Sequence, residues 1–122
     1  MGVGMPQALL LQEFGSQVWS AFGEPPYHVG SSLANKTGWR DVDVRLILDD
    51  LDLTRLFPDI NPGHNDHLNP KWVAWCIAFS ALGKQMTGLP IDFQIQQCTH
   101  ANTAYPNQPR SALGMVGLRT RL

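Results

Sequence analysis

Apolar residues recur at helical spacing in two long segments of the chain. Between Pro6 and Phe22 they repeat every fourth residue, which predicts an amphipathic helix. A second helix is predicted over residues 70–87, because Asn69 is a favourable N-cap and Pro70 a favourable first helical residue. The predicted buried stripes are Leu10, Phe14, Val18 and Phe22 in the first helix, and Trp72, Trp75, Cys76, Phe79, Leu82 and Met86 in the second.

Strict alternation of apolar and polar residues predicts strands elsewhere. In residues 41–48, one face carries Val42, Val44, Leu46 and Leu48, and the other carries Asp41, Asp43, Arg45 and Ile47. Further strands are predicted at residues 27–29 and 89–97, the latter with Asp92, Gln94 and Gln96 on its polar face. Alternate residues of a strand lie about 7 Å apart on the same face, so we expect Asp41 and Asp43 to be neighbours.

The remaining segments carry no strong period. Residues 32–39 are expected to form a polar loop, and within residues 49–68 Asp52 is expected to cap one helical turn over 53–57. Residues 98–122 are expected to form an irregular tail, with a short edge element at 115–118. We therefore predict one α/β (α+β) domain over residues 1–122, with its core at 6–97 and a small mixed sheet whose helices pack on one face.

Composition narrows the class of protein. Apolar residues make up 43% of the 122-residue chain, which is enough for a core, and no apolar run reaches the length of a membrane span. Cys76 and Cys98 lack metal-site spacing, and the N-terminus lacks a secretory signal pattern, so we expect reduced thiols and a cytoplasmic location. Residues 1–70 hold nine acidic and four basic residues, whereas residues 71–122 hold one and five.

Two of the three aspartates on predicted strands lie close in sequence to a Gly-Ser turn. Asp41 and Asp43 follow Gly30-Ser31-Ser32 by about ten residues, and Asp92 stands alone on the later strand. Carboxylates that converge from two strands suit Mg²⁺ or Mn²⁺, and glycine lets a phosphate approach the main chain closely. The alternative to a metal site is a sheet with one solvent-exposed face, on which the aspartates are ordinary surface acids.

These residues resemble the signature of the DNA polymerase β-type nucleotidyltransferase superfamily. Val29-Gly30-Ser31, a nine-residue spacer and Asp41-Val42-Asp43-Val44 match its Gly-Ser turn and acidic pair, and Ile91-Asp92-Phe93 matches its third carboxylate. The similarity covers residues 6–97 and implies a small single-domain member of that fold. Larger members carry a helical domain after this core, for which only about 25 residues remain here.

The resemblance implies a role for each site residue. Asp41, Asp43 and Asp92 would hold two Mg²⁺ or Mn²⁺ ions, and Asp92 would act on the attacking hydroxyl. Gly30 and Ser31 would bind the phosphates of a nucleoside triphosphate. An acceptor hydroxyl would attack the α-phosphate and release pyrophosphate, and this acceptor would belong to a protein, a small molecule or a nucleic-acid end.

Several neighbouring residues are further candidates. Ser32, Lys36 and Arg40 lie near the Gly-Ser turn and are candidate phosphate ligands, whereas Arg45 shares the aspartates' face and is expected to pair with one of them or with phosphate. The loop residues His64, Asp66 and His67 are interpreted as a surface rather than a zinc site. The alternative function is an antitoxin-like binding module with weak or no turnover, acting as a homo-oligomer or with a helical protein partner.

Overall fold

The computed structural model describes residues 2–115 and shows a mixed α+β fold. Both predicted long helices and all three predicted strands are present. The helices are α1 (Gln7–Phe22), α2 (Ser31–Ala34), α3 (Asp50–Leu56), α4 (Pro70–Thr87) and α5 (Cys98–Ala104), and a 3₁₀ turn covers Asp66–Leu68. The strands are β1 (Tyr27–Val29), β2 (Val42–Leu48), β3 (Ile91–Gln97) and β4 (Ser111–Ala112).

The strands form one mixed sheet in the order β3-β2-β1-β4. Strands β2 and β3 are parallel along their whole length, and α3 and α4 connect them. The two other pairings, β1 with β2 and β1 with β4, are antiparallel. Because β1 runs against β2, the end of β1 lies beside the start of β2, and Val29 is paired with Asp43.

The core lies on the face of the sheet that the alternation predicted to be apolar. Val42, Val44 and Leu46 of β2 are fully buried, together with their β3 neighbours. Helices α1 and α4 cover this face, where Phe14 of α1 meets Phe93 of β3 edge-on with 6.3 Å between ring centroids. Such aromatic pairs add a small stabilisation to the large apolar area that they bury.

Side chains of α4 cover the outer edge of β3. The Ser80 hydroxyl accepts a hydrogen bond from Phe93 N–H at 2.9 Å and donates one to Phe93 C=O at 3.5 Å. Trp72 Nε1–H donates to Ile95 C=O at 2.9 Å. An uncovered edge strand leaves main-chain groups unpaired and promotes aggregation. Ser80 and Trp72 satisfy β3 main-chain groups that would otherwise be open to pairing with another strand.

The structure corrects three details of the predicted elements. The first residues of the loop predicted over 32–39 belong to the short helix α2. The cap of α3 is Asp49, which accepts from Leu51 N–H, rather than Asp52. The tail predicted to be irregular contains α5 and β4. The edge element predicted at 115–118 falls almost entirely outside the described residues, which end at Met115.

Within residues 2–115, no helix combines the length and the hydropathy that crossing a bilayer would require.

Candidate metal centre

The structure brings Asp41, Asp43 and Asp92 together on the open face of the sheet. Asp43 and Asp92 are direct partners in the parallel β2–β3 ladder, and Asp41 immediately precedes β2. One carboxylate oxygen from each residue lies within 4.8 Å of the others. No other group of three His, Cys, Asp or Glu residues in the described part of the chain is gathered in this way. We call these three residues the aspartate triad.

Arg45 provides the positive charge next to the triad. Its Nη2 lies 3.3 Å from Asp92 Oδ2 and 3.6 Å from Asp43 Oδ1, and its side chain is only 12% exposed. Its Nη1 donates to the main-chain carbonyl of Asp92 at 2.7 Å. The predicted pairing of Arg45 with an aspartate is therefore confirmed, and Arg45 contacts two of the three.

Burial raises the pKa of Asp43 above its usual range, since a half-buried carboxylate loses part of its hydration. The Arg45 guanidinium opposes this rise, and the negative charges of Asp92 and Asp41 add to it. A bound cation therefore stabilises the ionised form of such a carboxyl group more than it stabilises that of an ordinary surface acid.

Gly30 is packed against the triad. Its φ of +78° and ψ of −163° lie in a region that is essentially restricted to glycine. A Cβ at this position would lie 2.4 Å from Asp43 Oδ2, so the carboxylate occupies the space that any other side chain would need. The Gly-Ser turn and the acidic pair, separated in sequence, are therefore in direct contact.

The two serines after Gly30 differ in their surroundings. Ser31 is exposed, whereas Ser32 is fully buried, and its hydroxyl lies 2.7 Å from His28 Nε2. Burial lowers the pKa of His28 to about 4, so this ring is neutral at pH 7. Ser32 is thus engaged with the interior of the fold and does not face the solvent beside the triad.

The hydrogen bonds of α2 begin with Leu33 N–H to Gly30 C=O, so the N–H groups of Ser31 and Ser32 are outside that ladder. Lys36 and Arg40, the other predicted phosphate ligands, are exposed on the loop between α2 and β2. In the described structure neither cation is paired with an acidic side chain, so both charges are available to a ligand.

A groove of about 490 Å³ opens beside the triad, a size typical of small-molecule sites. Its lining includes Asp41 and Asp92 on the strand side and Val73, Ile77, Ala81 and Lys84 on α4. Ile77 is 64% exposed, which is unusual for a large apolar side chain. The sequence interpretation missed this groove, although its α4 residues recur every three or four positions as a second helical stripe.

The other candidate residues lie apart from the triad. Asp66 is engaged within its own loop, where it accepts from Gly63 and His67 N–H groups. Asp50 accepts two hydrogen bonds from Thr99, one of them very short, and these lower the pKa of its carboxyl group. These two acids hold a loop and a helix end in place.

A second groove, of about 630 Å³, lies where α1, α3 and α4 meet. It is lined by Phe22, Leu48, Leu56, Trp75 and Phe79, with Asp52 and Arg55 also contributing. Leu48 is the last residue of β2, six residues beyond Val42 and therefore about 20 Å along the strand. This apolar groove is thus at the end of β2 opposite the triad.

Comparisons of the chain with protein-family models, with curated proteins and with solved structures found no match. Interpretation of the site therefore depends on its own geometry.

Proposed function

We propose that this chain is a metal-dependent nucleotidyltransferase, which transfers a nucleoside monophosphate from a triphosphate to an acceptor hydroxyl and releases pyrophosphate. The observation that supports the proposal best is the convergence of Asp41, Asp43 and Asp92 from separate segments directly beside Gly30. Ordinary surface acids would have no need of a glycine in a restricted conformation packed on one carboxylate.

The donor set fits a hard divalent cation. Three carboxylates supply oxygen ligands only, which Mg²⁺ and Mn²⁺ prefer, and the missing Cβ of Gly30 leaves room for the Asp43 carboxylate. When bound, such ions would neutralise phosphate charge and make the acceptor hydroxyl more acidic. Asp41 and Asp43 would hold both ions, and Asp92 would complete one shell and receive the hydroxyl proton.

The remaining residues would place the triphosphate and the acceptor. The Ser31 hydroxyl and the N–H groups that follow Gly30 would bind phosphate oxygens, with Lys36 and Arg40 supplying charge from the neighbouring loop. The acceptor hydroxyl would attack the α-phosphorus as the bond to pyrophosphate breaks. The groove along α4 would hold the acceptor, because it reaches Asp41 and Asp92 and has an apolar wall. The two free thiols, Cys76 and Cys98, support a cytoplasmic location.

Pyrophosphate release tests the proposal. The wild-type protein is incubated with each α-labelled nucleoside triphosphate in Mg²⁺ or Mn²⁺, and both pyrophosphate and labelled products are measured. Asp43→Asn and Asp92→Asn should abolish release, and Asp92→Asn should retain triphosphate binding in a thermal-shift assay. Asp59→Asn, at an exposed position outside the triad, is the matched control and should remain active. Full turnover by the triad variants would contradict the proposal.

The groove of Phe22, Trp75 and Phe79 supports a second candidate, a binding module with weak or no turnover. This groove presents aromatic surface far from the triad, as a protein-binding site would. Wild-type protein that binds Mn²⁺ and triphosphates yet releases no pyrophosphate would favour the module. Partner binding would then survive Asp43→Asn and be lost in Trp75→Asp, which places a charge in the aromatic groove.

A further inference from the structure

Arg45 acts as a built-in counter-cation of the aspartate triad. Asp43 and Asp92 face each other across two adjacent strands, and like charges placed directly opposite destabilise a sheet. Among the described residues, Arg45 makes the ion pairs that offset this repulsion. Removing its charge would leave two half-buried carboxylates opposed with no cation between them.

The two ends of the guanidinium are held differently. Nη1 donates to main-chain carbonyls, at 2.7 Å to Asp92 and 3.2 Å to Val44. Nη2 contacts the carboxylates at the longer distances of 3.3 and 3.6 Å, beyond the usual length of a strong charge-assisted hydrogen bond. Arg45 is therefore held mainly by hydrogen bonds to main-chain carbonyls, and its interactions with the carboxylates are weaker.

We propose that Arg45 is a counter-ion that offsets the repulsion between Asp43 and Asp92 before a cation binds and that keeps the triad's affinity for divalent cations low. This inference rests on the proposed metal site. The fixed positive charge lies within ion-pair distance of two of the three carboxylates that would hold Mg²⁺ or Mn²⁺, so it repels an incoming cation. At such distances, even with strong solvent screening, the repulsion is worth roughly a tenfold change in affinity or more.

Mn²⁺ binding by purified full-length variants tests this role, with the free ion measured by electron paramagnetic resonance. Arg45→Gln keeps an N–H donor for the carbonyls but loses the charge, and should bind Mn²⁺ roughly tenfold more tightly than wild type. Arg45→Lys keeps the charge and should bind close to wild type. Arg55→Gln removes an exposed arginine at the other groove and should leave the affinity unchanged.

A purely structural role for Arg45 predicts the opposite result, since a disordered triad would bind Mn²⁺ more weakly. Weaker or unchanged binding by Arg45→Gln, with binding by wild type abolished in Asp43→Asn, would overturn this inference and leave the metal site intact. No binding by wild type or by Arg45→Gln would overturn the metal site as well. If Arg45→Gln is unfolded alone, Mn²⁺ should restore its far-ultraviolet circular dichroism, and failure to do so would refute the role.

Discussion

Gly30→Ala should weaken cation binding at the proposed metal centre by more than its effect on the stability of the fold would explain. The backbone of Gly30, at φ +78° and ψ −163°, is strained for any residue with a side chain, and such conformations cost on the order of 1–3 kcal/mol. The new Cβ would also lie 2.4 Å from Asp43 Oδ2. To reach a tolerable 3.0 Å, the carboxylate must move by roughly 0.6 Å or more.

A displacement of this size matters because metal–ligand distances tolerate only about 0.2 Å of change. Asp43 also contacts Arg45, so its movement disturbs the arrangement that brings Asp92 close. Changes in residues that support metal ligands typically cost 10- to 100-fold in affinity, and we expect a loss in that range for Mn²⁺.

Gly38→Ala is the matched control. Gly38 has a φ of +83° on the same loop, and a Cβ there would meet nothing within 4 Å. Both variants should lose stability in urea denaturation, by about 1 kcal/mol for Gly38→Ala and by 1–3 kcal/mol for Gly30→Ala. Only Gly30→Ala should lose Mn²⁺ affinity. If the two variants bind Mn²⁺ with equal affinity, contact with the triad is not the reason why position 30 requires glycine.

Three further predictions concern the fold. Ser80→Ala should cost about 1–3 kcal/mol in urea denaturation and speed hydrogen exchange of the Phe93 amide, because that N–H loses its partner at the sheet edge; unchanged exchange would contradict this. The folded-state pKa of His28, about 4, is below its unfolded value of 6.5, so stability is complete above pH 6.5 and falls by about 3 kcal/mol as pH drops to 4. Urea denaturation should show His28→Gln losing that part of the pH dependence, and identical profiles would exclude the histidine as its source. Burial raises the pKa of Cys76 to about 11, so iodoacetamide at pH 8 should alkylate Cys98 first in native protein; equal rates would mean that the Cys76 thiol is accessible.

Hydrophobic periodicity was sufficient to predict the helices and strands that bury one regular face. The alternation in β2 places Val42 and Val44 in the core and Asp43 on the open face, as the structure confirms. The Asn69-Pro70 start of α4 is also confirmed, with the Asn69 side chain accepting from Trp72 N–H. These features depend on local spacing and capping chemistry, which the sequence contains directly.

The missed elements depend on contacts distant in sequence. Helix α5 has few apolar residues, and it is fixed by Ala101 in the core and by hydrogen bonds between Thr99 and Asp50, 49 residues away. Strand β4 exists because Ser111 pairs with His28 of β1. No local pattern reports such pairings, because tertiary contacts override weak propensities in short polar segments.

For the same reason, the periodic pattern of the sequence predicted the site contacts within one strand but not those between separate segments. Spacing along β2 placed Asp41, Asp43 and Arg45 together, since one strand fixes their common face. That Asp92 would face Asp43 depends on the register of β2 with β3, which the sequence alone leaves open. The burial of Ser32 against His28 could not be predicted either, because both residues are polar and Ser32 lies in a segment without a hydrophobic period.

The direction of β1 explains why the candidate centre lies where it does. In open sheets of parallel strands, ligands usually bind at the carboxyl ends of the strands. Here Asp43 and Asp92 lie near the amino ends of β2 and β3, where the parallel pair alone offers no loop that follows a strand. Because β1 is antiparallel to β2, its carboxyl end brings Gly30 to this same edge. In the proposed function, the antiparallel strand would supply the main-chain N–H groups for phosphate and the parallel pair would supply the carboxylates for a cation, and phosphoryl transfer needs both.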